Sequence, residues 1–460
     1  MKSHNLPPLG LAWLALAALW TCTLTAADIT PAGKRHLITD AGAVGDGQTL
    51  NTKAIQAVID QCVADGGGVV VVPKGVFLSG ALFFKNGANL LVEQDGVLKG
   101  SVNPEDYPQV NTRWEGVERE WICAFLNFNN MTNVVVSGAG MIDGSGDLWM
   151  QRGGGGPRRG PGGAAPTNAP PMPAANAAAN PAGTNAPARR GGMGRPRMIC
   201  FTSCKNVLIA DLHLQRQAVW CLHLLYSEDV VATNLNIRAI ERIPSSDGID
   251  VDSCHNVQIT RCDIACNDDD IAIKCGKDAD GLRVNRPSEN ITISDCQIGA
   301  GAGITMGSEV SGSIRHVLVE HCHFNGCDAA VRFKSQPSRG GVIEDIVYRD
   351  IDLTNVGRAA EFLMAWRMVG PAVPPAKVLT EVRNVQLINI TGSVRNLGVM
   401  TGLKDSPIHD VKFVNCKLSA QRGLTLENCK DIDVSGLQAT VAEGETVINR
   451  DAPAAPKTQP

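Results

Sequence analysis

The stretch Asn256-Val257-Gln258-Ile259-Thr260-Arg261-Cys262-Asp263-Ile264 returns further along the chain as Asn290-Ile291-Thr292-Ile293-Ser294-Asp295-Cys296-Gln297-Ile298. In both, a polar residue opens the unit, and Val or Ile then alternates with polar side chains, the period of a β-strand. The same opening pair occurs at Asn133-Val134, Asn206-Val207, Asp229-Val230, His316-Val317, Asp345-Ile346, Asn384-Val385, Asp410-Val411 and Asp431-Ile432. Most intervals between successive pairs stay in the twenties, and the longer ones carry Gly- or Pro-rich insertions. Short strands at a near-constant period are stacked coils, none of which can bury its inner face alone. The regular Leu and Asn positions of leucine-rich repeats are missing. The expected fold class is therefore all-β, a right-handed parallel β-helix, with equivalent residues of adjacent coils about 4.8 Å apart.

A solenoid needs covered ends. Residues 51–63 read as an amphipathic helix with Ile55, Val58, Ile59 and Cys62 on one stripe, an N-terminal cap. The Gly run at 66–68 ends it, and the Val run at 69–72 starts the first strand. Residues 28–150 are thus expected to hold the cap and first coils, and residues 195–451 the remaining coils. Between them, residues 151–194 are almost entirely Gly, Pro, Ala, Asn and Arg. Such a segment buries no core and is expected to be disordered, as is the tail at 452–460.

The N-terminus carries Lys2, an uncharged apolar stretch over residues 6–27, and the small residues Thr25, Ala26 and Ala27 before Asp28. This is the pattern of an export signal occupying residues 1–27, which places the mature chain in the periplasm or outside the cell. The whole chain holds 15 cysteines. Cys204, Cys254, Cys262, Cys296, Cys322, Cys416 and Cys429 each accompany a repeat strand, the place of a stacking core residue. Mostly buried thiols, with at most one or two bridges, are expected. No CxxC pair suggests zinc. With 42 Lys+Arg against 46 Asp+Glu the net charge is -4, so the basic footprint of a nucleic-acid binder is missing. A monomer is expected.

The densest acidic cluster is Ser245-Ser246-Asp247-Gly248-Ile249-Asp250-Val251-Asp252, followed by Asn267-Asp268-Asp269-Asp270. The interval from Asp247 to Asp268 equals that from Asp410 to Asp431, one coil, so the two should share an edge of the solenoid, with Asp269 at the same turn. Three converging carboxylates suit acid–base work on a glycosidic bond, at separations of roughly 5–9 Å. Close like charges let one member keep its proton near neutral pH. Further coils bring Gly301-Ala302-Gly303 and then Arg332-Phe333-Lys334. Arg332 and Lys334, two apart on a strand, share a face and suit a carboxylate-bearing sugar.

These residues resemble glycoside hydrolase family 28, the polygalacturonases and related pectin-degrading enzymes. The likeness covers nearly the whole mature chain. Four marks carry it: Ser245-Ser246-Asp247 for the family's Asn-Thr-Asp, Asn267-Asp268-Asp269 for Gly-Asp-Asp, Gly301-Ala302-Gly303 for Gly-His-Gly, and Arg332-Phe333-Lys334 for Arg-Ile-Lys. The resemblance implies a right-handed parallel β-helix and hydrolysis with inversion and no cofactor. It implies Asp268 as general acid, Asp247 and Asp269 as the pair that positions and deprotonates water, and Arg332 and Lys334 as binders of the substrate carboxylate. Ala302 departs from the pattern, since a His near the acid is missing; Asp270 adds a negative charge beside the pair.

The expected partner is a pectic polysaccharide or oligosaccharide, cleaved as in a polygalacturonase or in a relative acting on rhamnogalacturonan. Two alternatives stand beside this. A Ca²⁺-dependent lyase would use the run Asp268-Asp269-Asp270 as an oxygen-ligand cluster, with Arg332 or Lys334 as base. A binding β-helix that lost catalysis would bind sugar without cleaving it.

Overall fold

The computed structural model describes residues 31–152, 194–240, 243–366 and 373–451. The stretch read as an export signal and the C-terminal tail lie outside these residues, as does nearly all of the 151–194 insert; a helix, Gly146–Arg152, covers its first two residues. The chain is a right-handed parallel β-helix. Nearly all its strands join one continuous sheet in which each strand pairs, in parallel, with its equivalent one coil earlier and one coil later. The exception is an antiparallel hairpin, Gln109–Trp114 with Val117–Ile122.

The polar residue opening each repeat has a conformational reason. All ten such residues, from Asn133 to Asp431, have φ between 50° and 58°. Asn and Asp tolerate this left-handed region better than other side chains, which is why they recur there. Several also bond along the stack, Asn206 Nδ2 donating to Asn133 Oδ1 at 2.5 Å and Asn256 Nδ2 to Asp229 Oδ1 at 2.9 Å. The turn frees the following Val or Ile to point inward. On the face that matters below, Ile249, Val251, Ile271, Ile273, Ile304, Val331 and Phe333 are all buried. Stacked aromatics continue the ladder at Phe84–Phe128–Phe201, with centroids 4.4 Å apart at each step. The described cysteines are all free, and all but the half-buried Cys429 are buried. No bridge forms among them.

The N-terminal end is closed by the helix Thr52–Ala64, which buries Ile55, Val58, Ile59 and Cys62. Its Gln56 does more than cover: Nε2 donates to Phe83 O and Oε1 accepts from Phe83 N, both at 2.9 Å. A side-chain amide thus satisfies the open edge of the first coil, where an unpaired strand would otherwise invite another.

One sheet face carries the candidate site residues. The strands Ile199–Thr202, Leu222–Leu225, Ile249–Asp252, Ile271–Lys274, Ile304–Met306 and Ala329–Lys334 stack in this order. Inward residues alternate with outward ones, so Cys200, His223, Asp250, Ala272, Thr305 and Arg332 form one outward file. Strand alternation alone decides which side chains can reach a ligand.

Candidate active site

The register differs by one residue from the sequence expectation. Ile249 pairs with Ile271, and Gly248 N donates to Asp269 O at 3.0 Å. The coil that runs from Ile249 to Ile271 is one position longer than expected, so Asp247 stacks beside Asp269, and Asp268 stands one place earlier. The turn bearing Asp247 is clamped from below: Gln217 Nε2 donates to Ser246 O at 3.1 Å and Ser246 Oγ to Ile243 O at 2.8 Å. Gly248 is required there, since a Cβ would stand 2.4 Å from Asp270 O.

The structure brings Asp247, Asp268 and Asp269 together: one oxygen from each lies within 4.8 Å of the others. That is closer than the separation expected, because cations stand among the carboxylates. Lys334 Nζ donates to Asp269 Oδ2 at 2.7 Å, Arg332 Nη1 is 3.5 Å from Asp269 Oδ1, and Thr305 Oγ1 donates to the same oxygen at 2.7 Å. Lys274 Nζ lies 3.6 Å from Asp247, 3.5 Å from Asp250 and 3.4 Å from Glu309. Arg332 also donates to Glu361 Oε2 at 2.8 Å. Asp247, Asp269, Lys274 and Lys334 are buried, whereas Asp268 and Arg332 are half-buried and remain reachable.

The electrostatics separate two adjacent aspartates. Burial pushes the Asp268 carboxyl up and the charge of Asp269 adds to this, only partly offset by Lys334. For Asp269, burial acts the same way, but Lys334, Arg332 and Lys274 outweigh it and hold the group below the usual carboxylate range. Of these two neighbours, Asp268 therefore holds a proton to higher pH than Asp269 does. Asp247 is raised by burial and by Asp250 and Asp268.

Asp250, Lys274 and Glu309 were not singled out in the sequence, although Asp250 and Lys274 occupy outward positions of the alternating pattern. Asp250 is fully buried, neither of its oxygens has a hydrogen-bond partner among the described residues, and burial pushes its carboxyl up to about 7. Asp270, read as an extra charge at the site, turns inward instead. It is fully buried, accepts from Gly303 N at 3.0 Å and Cys266 N at 3.1 Å, and burial raises its carboxyl far above the usual range. Gly301 exists for this carboxyl, since a Cβ there would stand 2.5 Å from both its oxygens. Ala302 meets the acid only through its backbone, its N–H donating to Asp268 O at 2.9 Å.

The inward turn of Asp270 bears on the Ca²⁺ reading, because the three consecutive aspartates do not present one ligand set. Both oxygens of Asp269 already accept from Thr305 and Lys334. With Arg332 and Lys274 also at hand, the space around the trio is occupied by positive charge, which opposes a divalent cation.

The hairpin, unread in the sequence, walls this face on the side of the earlier coils. Arg113 is 1% exposed and donates to Asp252 Oδ1 and Ser253 Oγ, both at 2.7 Å. Trp114 stacks on Trp121 at 5.3 Å and leans on Trp220 at 4.7 Å. At the turn, Gly116 O accepts from Lys277 N at 2.9 Å. Trp220 also faces the catalytic coil, with Lys274 Nζ 4.7 Å from its ring, and on the opposite side Trp366 lies 5.1 Å from Lys334 Nζ. The signal in the sequence was the pair Glu115-Gly116, both at positive φ, between two alternating runs.

Residues 181–441 match the sequence model of Glycosyl hydrolases family 28. The chain is 29% identical over 327 residues to a probable polygalacturonase of Vitis vinifera, covering 69% of this chain and 60% of that protein. It is 27% identical over 425 residues to an exo-poly-α-D-galacturonosidase of Dickeya chrysanthemi, covering 87% and 70%. Among solved structures it resembles a hyperthermoactive exopolygalacturonase from Thermotoga maritima at 25% identity and a TM-score of 0.70, over 93% of this chain and 94% of that one.

Proposed function

The chain belongs to glycosyl hydrolase family 28, and from that premise we propose that it is an exported hydrolase cleaving a galacturonate-containing pectic chain from its end. The observation that carries this is the split between neighbours: Lys334 and Arg332 hold Asp269 below the usual carboxylate range, while burial and the charge of Asp269 push Asp268 up. Asp268, half-buried at the turn, protonates the leaving oxygen. Asp269, with Asp247 beside it, holds and deprotonates the attacking water, which gives inversion. Arg332 offers the more accessible cation to a uronate carboxylate; Lys334 acts mainly by fixing the charge of Asp269.

Chain-end action is supported by the hairpin, which closes the groove beside Trp220, and by the names of the Dickeya and Thermotoga relatives. Export is supported by the apolar stretch at residues 6–27. Ala302 leaves Asp268 without a side-chain donor at that place, which favours including rhamnogalacturonan and other decorated pectins among the substrates tried. The test is product analysis on a panel of pectic chains. New reducing ends of inverted configuration by proton NMR, without an unsaturated ultraviolet-absorbing product, support the reading. An unsaturated product would replace it with a lyase, and saturable binding without cleavage with a binding module.

A further inference from the structure

Beneath the hairpin, on the side away from the catalytic aspartates, lies a cavity of ≈270 Å³ bounded by Asn111, Thr112, Asn127, Arg197, Cys200 and Thr202, among others. Arg197 is 2% exposed and forms no ion pair among the described residues. Its Nη1 lies 2.7 Å from His223 Nδ1 and donates to Arg113 O at 3.2 Å, its Nη2 donates to Thr112 Oγ1 at 3.1 Å, and its Nε has no partner. With Nδ1 accepting from a guanidinium, the proton of the His223 ring rests on Nε2, which faces Asp252 Oδ2 at 3.6 Å. Asp252 is itself neutralised by Arg113 at 2.7 Å. A buried guanidinium left without a counter-charge is costly. The acidic group beside it is Cys200, whose Sγ is 3.7 Å from His223 Nδ1.

We propose that Cys200 is a modification site: a nucleophilic thiol, beside the Arg197–His223 pair on the wall of this cavity, that captures small soft electrophiles such as hydroperoxides. Burial alone would push this thiol up, but the charge of Arg197 brings it down. Its other titratable neighbours are thiols, Cys123 and Cys204, which burial pushes up to about 12 and about 11. Cys262 is also drawn down, by a sulfur hydrogen bond from Cys296, yet it sits in the core of the solenoid. A thiolate beside a cation reacts where a buried thiol is inert. With a hydroperoxide, the sulfur attacks one oxygen, the O–O bond breaks and the second oxygen leaves as hydroxide or alkoxide. The transferred oxygen keeps its proton, so sulfur is oxidised by two electrons to the sulfenic acid, and the peroxide is reduced. The cavity has room for such a reagent.

The experiment labels the folded protein with limiting iodoacetamide from pH 5 to 9, quenches in acid and maps the adducts by mass. Cys200 is expected to be alkylated at least tenfold faster at pH 7 than any other cysteine between residues 31 and 451, with the midpoint of its rate profile below 7.5. Arg197→Met should move that midpoint upward. The wild-type map stands on its own if that variant does not fold. Treatment with hydrogen peroxide followed by dimedone should tag Cys200 first. Alkylation of Cys200 no faster than of Cys429, or only after unfolding, would overturn the proposal, as would dimedone adducts that spare Cys200.

Discussion

Lys334 Nζ lies 2.7 Å from Asp269 Oδ2, although 65 residues separate them in the chain. Two turns of the solenoid make them neighbours, and the pair decides which of two consecutive aspartates is the anion. Among the described residues Asp268 has no such contact; its Oδ1 accepts from Asp269 N, at 3.0 Å. One residue of sequence therefore separates the carboxyl proposed as acid from the one proposed as base.

Asp268→Asn removes the transferable proton and keeps an oxygen for that backbone bond. Turnover on a pectic chain is expected to fall about 10²–10⁴-fold, the worth of a general acid, with little change in the melting temperature. A galacturonide bearing a good leaving group needs no protonation and should be cleaved by the variant at close to the wild-type rate. Equal losses on both substrates would remove Asp268 from the acid role.

The activity profile follows from the same split. The productive form has Asp269 ionised and Asp268 protonated. Activity is lost on the acid side as Asp269, held low, takes up a proton, and on the alkaline side as Asp268, held high, gives its proton up. Lys334 lowers both groups. Lys334→Met should therefore move both limbs of the kcat profile to higher pH. An unmoved profile with weaker substrate binding would confine Lys334 to holding the sugar.

Much of this was legible from residues alone, for physical reasons. The left-handed turn at each coil accepts few side chains, so Asn133 through Asp431 announce the repeat. The alternation that follows says which side faces the core. Convergence of Asp247, Asp268 and Asp269 with Arg332 and Lys334 then needs only a coil length. What failed was finer than the pattern. A coil one position longer than the interval from Asp247 to Asp268 moves the stacking partner of Asp247 from Asp268 to Asp269. In the run Asp268-Asp269-Asp270 nothing local says which carboxyl bends inward; the amides of Gly303 and Cys266 decide it. Asp250 and Lys274 look like ordinary outward polar positions until the hairpin, folded over from residues 109–122, shows how little water reaches this face.

Asp250 gives a stability prediction. Its folded-state carboxyl, at about 7, lies above the ordinary value near 3.8, so the folded protein binds more protons than the unfolded chain between these limits. Stability from this group is fully present at low pH and is lost as pH rises through about 4 to 7. Asp250→Asn holds no titrating proton and keeps the volume. The melting temperature of the variant, relative to wild type, should rise steadily from pH 4 to pH 8. A constant difference across that range would mean that Asp250 ionises normally in the folded state.

The proposed chain-end action rests on the hairpin. Arg113 is locked to Asp252 and Trp114 leans on Trp220, on the side of the earlier coils, and on that proposal a polymer enters by its end. Wild-type enzyme should release reducing ends while the viscosity of a long pectic chain falls little. Trp114→Ala removes the contact with Trp220 and leaves the Arg113 anchor in place. It should open that end, so that viscosity falls several-fold more for the same number of bonds cut, while Asp268 and Asp269 remain as they are. A wild-type enzyme that collapses viscosity at the first few per cent of cleavage would show that the chain passes the hairpin, and the wall would then have no part in specificity.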